Sequence, residues 1–167
     1  MSTERGKSPV TAIADTAILM AAKQHATVTV GPYPSVNGSC ALVRILDEAT
    51  DQWARVNYIY LNKKSGSDDA LHVRADSILS AIKGGWPFAD AAAKCSMDGN
   101  GQQGGDLGWF ARSMMVAEFR DVVFQHHKGD LFIARVDVYG WYVIEVTQEP
   151  GTYEVVEYVL GRGPICP

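Results

Sequence analysis

The 167 residues contain no Lys/Arg run, no CxxC pair, no internal repeat and no apolar stretch near the roughly 20 residues that span a bilayer. Each absence removes a class of function. Fifteen basic against nineteen acidic residues leave a net charge of -4, so there is no electrostatic case for nucleic acid. The three cysteines, Cys40, Cys95 and Cys166, lack the spacing of a zinc site and leave an odd one out, so neither a metal nor a disulfide framework is expected. Cys95 reads as a small buried hydrophobe. The first ten residues are polar and charged, and Asp15 interrupts the apolar stretch after them, so no signal peptide is visible. Such a chain is either cytosolic or a piece of a longer precursor.

What is present is an ordinary globular composition, 47% hydrophobic and 20% charged, with mixed helix and strand signals. Residues 1–10 read as a disordered lead-in, and residues 11–26 as a short helix carrying Ile13, Ala17, Ile18 and Ala21. A strand, a loop turned at Asn37-Gly38 and a second strand follow; Pro32 and Pro34 confine the first of these to an edge. The polar residues 47–51 read as a break. Beyond it, residues 54–61, with β-branched and aromatic residues throughout, read as a strand, and Leu71, Ala75, Ile78, Leu79 and Ile82 form one helical stripe ended by Gly84-Gly85. Pro87 starts a second helix that runs to Cys95. Residues 99–105 form a loop, 106–110 a short strand and 116–124 a third helix. Residues 131–138 and 141–147 form a closing hairpin, and 153–160 a further strand. The class is α+β.

Two motif-like features carry no chemistry. Gly99, Gly101 and Gly104 satisfy G-x-G-x-x-G, but a dinucleotide site needs a strand before the loop and a helix after it, and the order here is reversed. Adjacent His126 and His127 point about 100° apart on a helix end and have no acidic or thiol partner at ligand spacing. His25 and His72 read as surface positions. Leu107, Met115 and Phe119 are more informative, because the last two form an i,i+4 pair beside the strand that bears the first.

Residues 53–148 resemble a parvulin-type peptidyl-prolyl cis-trans isomerase domain, most like the periplasmic PpiD/SurA-type foldases of Gram-negative bacteria. The resemblance rests on residues 75–92 with their Gly84-Gly85-Trp86-Pro87-Phe88 end, Ser96-Met97-Asp98, Gly104-Gly105-Asp106-Leu107-Gly108-Trp109-Phe110, residues 115–124 and residues 139–146. It implies a four-stranded antiparallel sheet wrapped by three to four helices. Ahead of this domain would lie a helix-plus-β-hairpin segment (1–50), a remnant of a chaperone region, and behind it a C-terminal extension (149–167).

The same resemblance implies a non-covalent isomerase acting on X-Pro bonds of unfolded or folding envelope proteins. Leu107, Met115 and Phe119 would form the proline pocket, with Asp98 beside the susceptible amide. Tyr58 and Tyr142 stand where the family carries paired histidines, and two phenols can donate and accept in their place. No cofactor, metal or nucleic acid is implied, and a membrane only through an anchor absent from this chain. The partners are proline-containing unfolded polypeptides in the periplasm or cell envelope. The rival reading is a client-binding chaperone module that keeps the pocket without turnover, because both histidines are replaced. Lys63 and Lys64 are the only basic pair in the loop at 62–69, which gives little basis for phosphate-dependent recognition.

Overall fold

The computed structural model describes residues 2–34 and 39–163, and its chain divides into two compact units. One comprises Met1–Asp51 with Thr152–Pro167, the other Gln52–Gly151. The expected turn at Asn37-Gly38, and Cys166, lie outside the described residues.

In the first unit, strand β1 (Ser2–Pro9) pairs antiparallel with the end of strand β6 (Gly140–Gly163), Ser2 opposite Arg162 and Pro9 opposite Val155. The lead-in expected to be disordered is therefore an edge strand. Its polar sequence shows no alternation, and the partner that orders it lies some 150 residues further along the chain. Helix α1 (Thr16–Lys23) is shorter than the apolar pattern implied, because Asp15 caps it by accepting from the amides of Ala17 and Ile18. It buries Ala17, Ile18, Ala21 and Ala22 against Ala41, Val43, Ile45, Val156 and Leu160. Strand β2 (Val30–Pro34), with both its prolines, pairs with strand β3 (Cys40–Asn62) and lies at the edge of the order β1-β6-β3-β2.

β3 is unbroken, so residues 47–51 are extended rather than a break, and β6 runs through the stretch expected to be a separate final strand. Cys40 is disulfide-bonded, against expectation, while Cys95 is free. Sequence spacing reports metal clusters and compact frameworks, not cysteines that the fold alone brings together.

The second unit holds the four-stranded sheet, in the order β4 (Asp106–Ala111), β3, β6, β5 (Leu131–Val136), with β4 and β5 antiparallel to their neighbours. Because successive side chains on a strand point to opposite faces, each face carries its own core. Ile59, Leu61 and Val143 meet Leu71, Ala75, Ile78 and Ile82 of helix α2 (Asp68–Lys83) and Phe88, Ala91 and Ala92 of helix α3 (Phe88–Cys95). Ser67 caps α2, and two acidic residues in its first turn suit the helix dipole. On the other face Ala54, Val56, Ala134, Val136, Ile144 and Val146 pack with Phe110 and with Phe119 and Val123 of helix α4 (Ala117–Val123). Tyr58, Leu107, Met115 and Tyr142 pack against this second core, so the residues singled out from the sequence gather on one side of the sheet. No helix among the described residues is long and apolar enough to cross a membrane.

Candidate functional site

A cavity of about 230 Å³ opens on the α4 side of the sheet, lined by Tyr58, Leu107, Met114, Met115, Val116, Phe119, Val136, Tyr139 and Tyr142. Phe119, 5% exposed, closes its floor, because the i,i+4 stagger of α4 buries it with Val123 against the sheet. Its ring meets Phe110 at 6.1 Å and Tyr142 edge-on at 5.4 Å between centroids.

Leu107 reaches the cavity through a bulge. Opposite Val56 and Asn57 of β3 stand Gly108 and Asp106, so Leu107 is an extra residue in β4. A bulge re-aims a side chain, and here it turns Leu107 onto the face that carries Phe110 and Phe119. Gly108 supports the kink with φ +76, a backbone conformation L side chains rarely adopt. Asp106 locks it: one carboxylate oxygen accepts from the Gly108 amide at 2.8 Å, and Arg55 grips both oxygens at 3.3 and 2.5 Å. That grip holds the Asp106 carboxyl below the usual carboxylate range. The bulge was not visible in the sequence, where residues 106–110 read as a plain short strand.

The polar wall is built from β3 and the loop after α3. Tyr58 donates to Asp98 Oδ2 at 2.7 Å, while Ser96 donates to Asp98 Oδ1 at 2.8 Å and accepts from the Tyr60 amide at 3.0 Å. Gly105 fastens Tyr58 from behind. Its carbonyl accepts the Tyr58 amide at 2.8 Å, and at φ +80 a side chain there would meet the Tyr58 carbonyl oxygen at 2.5 Å. Asp98 therefore sits behind Tyr58 rather than lining the cavity.

Tyr142 differs from the expectation that both phenols support Asp98 by hydrogen bonds. It packs ring against ring with Tyr58 at 5.7 Å and Tyr60 at 5.1 Å, and among the described residues its hydroxyl has no hydrogen-bond partner. Met114, Val116, Val136 and Tyr139 also line the cavity and were not singled out as site residues from the sequence; the run Met114-Met115-Val116 was the one local signal for the first two.

Burial, first, and then the Asp98 hydrogen bond raise the Tyr58 phenol above its ordinary pKa of 10.0; burial, then the neighbouring phenols and Asp98, do the same for Tyr142. Both stay protonated through the physiological range. Above about pH 10 an unfolded chain sheds phenolic protons that the folded chain keeps, so stability falls as pH rises through that window. Site function is accordingly expected to stay flat to about pH 9, and the unfolding midpoint to drop beyond about pH 10. A thermal-melt series against pH for the wild type and Tyr58→Phe checks this. The variant should lose part of the alkaline slope, and an identical slope would contradict the assignment.

His126 bonds the Val122 carbonyl and stacks on Phe132, His127 pairs with Glu149, and no cluster among the described residues could hold a metal.

A four-stranded sheet with helices on both faces, bearing an apolar cavity on one of them, defines the parvulin class of fold. The profile of the PPIC-type PPIase domain matches residues 40–150, and the chain belongs to that family of isomerase domains. It is 38% identical over 81 residues to the chaperone SurA of Pseudomonas syringae pv. tomato, covering 48% of this chain and 19% of that protein. The chain thus spans about a fifth of that relative's length. Among solved structures it is similar to a PpiC-type peptidyl-prolyl cis-trans isomerase domain, with TM-score 0.54 and 21% identity over 60% of this chain and 95% of that one. A structure from Campylobacter jejuni, from work on PEB4 and the periplasmic protein Cj1289 as SurA-like chaperones, gives TM-score 0.52 and 23% identity over 64% and 42%. At these identities the structural likenesses bear on fold alone.

Proposed function

We propose that this chain catalyses cis-trans isomerisation of X-Pro bonds in unfolded or folding polypeptides without forming a covalent intermediate. The observation that carries the reading is the convergence of Leu107, Met115 and Phe119 on one open cavity whose wall is Tyr58 hydrogen-bonded to Asp98.

Rotation about an X-Pro bond must break amide resonance against a barrier of roughly 18–20 kcal/mol. No bond to the ring is cleaved, so the catalyst need only bind the twisted amide better than either planar isomer. Resonance in the planar form loads negative charge onto the carbonyl oxygen and removes it from nitrogen. An apolar slot gripping the ring strips solvent from that oxygen and removes the hydrogen bonds that favour the planar form. Tyr58 has committed its proton to Asp98, so what it presents to the cavity is an electron-rich oxygen, which also disfavours the planar charge distribution. Tyr142 has its proton uncommitted among the described residues and is the donor available to the prolyl nitrogen as its lone pair emerges on twisting. Under this reading the two tyrosines divide the work between the two ends of the amide.

The rim is apolar: Met114 is 66% exposed, Val116 43% and Tyr139 46%. That suits extended, unfolded client segments, since contiguous exposed apolar surface marks a binding site. An envelope location is consistent with the disulfide at Cys40, which persists in oxidising compartments.

The test is exchange NMR on a short X-Pro peptide, whose uncatalysed interconversion takes tens to hundreds of seconds. Substoichiometric protein should accelerate exchange, and Tyr142→Phe should slow it by about tenfold with its unfolding midpoint kept. Peptide binding without acceleration would leave a chaperone module and reject the enzyme.

A further inference from the structure

The turn between β5 and β6, residues 137–139, stands at the rim of the cavity, and Tyr139 lines it. β3 and the loop after it hold that turn by its carbonyls. The Tyr60 hydroxyl and the Lys63 amide both donate to the Tyr139 carbonyl at 3.0 Å, and Lys63 Nζ donates to the Asp137 carbonyl at 3.0 Å. A peptide unit is planar, so fixing the Tyr139 carbonyl fixes the plane on which the chain passes into Gly140. Gly140 takes φ +140 there, and a side chain on it would collide with the Leu61 carbonyl, so the turn lies directly against β3. Tyr60 is itself anchored. Its amide donates to Ser96 Oγ at 3.0 Å, its carbonyl accepts the Met97 amide at 2.8 Å, and its ring packs on Tyr142 at 5.1 Å between centroids. Tyr60 is not among the residues that line the cavity, yet it joins the rim to the wall.

We propose that Tyr60 is a positioning residue of the isomerase site: through its bond to the Tyr139 carbonyl it sets the Tyr139 ring against the side chain that neighbours the proline in a bound client. This rests on the functional reading above. A proline ring seated among Leu107, Met115 and Phe119 leaves its flanking residues at the rim, where Tyr139 is exposed. A rim residue held in place before binding loses less freedom on binding, so a pre-set turn tightens the hold on the peptide without touching the amide that rotates. Tyr60 therefore governs KM, while Tyr58 with Asp98, and Tyr142, govern kcat.

The experiment is isomerisation kinetics on two short peptides, one with leucine on both sides of the proline and one with glycine on both sides, with unfolding midpoints measured alongside. Tyr60→Phe keeps the ring on Tyr142 and loses the donor. With the leucine-flanked peptide it should raise KM about threefold and leave kcat within about twofold, the size of one neutral hydrogen bond that acts on binding alone. With the glycine-flanked peptide, which offers Tyr139 no side chain, KM should not change. In a Tyr139→Ala background, which keeps the carbonyl and removes the ring, Tyr60→Phe should have no further effect on KM. An equal rise for both peptides, a rise that adds to that of Tyr139→Ala, or an unchanged KM for the leucine-flanked peptide overturns the inference, as does a loss of kcat that follows the folded fraction. Should Tyr60→Phe not fold, Tyr60→Met, which also lacks the hydroxyl, must show the same pattern. A wild type that accelerates exchange of neither peptide overturns the functional reading and this inference together; an active wild type whose response to Tyr60→Phe ignores the flanks overturns this inference alone.

Discussion

Phe119→Ala is expected to lower kcat/KM by about a hundredfold, because burial of an aromatic ring against the substrate is worth about 1.5–3 kcal/mol and each 1.36 kcal/mol is tenfold in rate. The same ring is the buried floor of the cavity and packs against Phe110 and Tyr142. Its removal should also cost about 3–5 kcal/mol of stability, so the assay belongs well below the lowered midpoint. Met115→Ala separates the two effects. Met115 is half-buried in the extended segment just before α4, so truncation should cost little stability and still lower kcat/KM by about tenfold. If Phe119→Ala, verified as folded, turned over peptide at the wild-type rate, the ring pocket would lie elsewhere.

Asp98→Ala is the second large effect. It removes the acceptor of both Tyr58 and Ser96, and a hydrogen bond to a charged group is worth about 1.5–3 kcal/mol. Released from Asp98, the Tyr58 proton can swing into the cavity and bond the amide oxygen, which favours the planar form the wild type disfavours. The expected result is a fall in kcat of about thirtyfold with KM nearly unchanged, because Asp98 lies behind the wall and not on it. Asp98→Asn, which still accepts, should recover part of the loss. A rise in KM with kcat intact would instead make Asp98 a substrate contact.

How far these residues could be read from sequence depended on the kind of signal each one leaves. The stripe of Leu71, Ala75, Ile78 and Ile82 and the β-branched and aromatic run through residues 54–61 report local structure directly, so this strand and this helix were legible. Met115 and Phe119 were read as an i,i+4 helical pair, but Met115 is extended and precedes the Val116 cap of α4, so the entry of the chain into the helix, and not helical stagger, brings the two to one cavity. Leu107 joined them only through the resemblance, since a bulge is a defect in pairing and pairing partners are distant in sequence. For the same reason β1 was missed: a polar strand ordered by residues 155–162 has no pattern of its own. The uninterrupted course of β3 through residues 47–51 was hidden because a charged exposed run and a loop look alike in composition.

Tyr58 and Tyr142 were placed by the same resemblance, which treated them as equivalent. Strand register does put both on one face, but the two phenols are not equivalent: one donates to Asp98, while the other packs ring against ring with its hydroxyl unpaired among the described residues.

The most direct measurement is of where a bound proline sits. Intermolecular NOEs between an isotope-labelled protein and an X-Pro peptide should connect the ring protons of the proline to the Leu107 and Met115 methyl groups and to the Phe119 ring, all from one bound pose. Contacts to the exposed rim residues alone, or to another surface, would contradict a cavity that grips the ring while the amide twists.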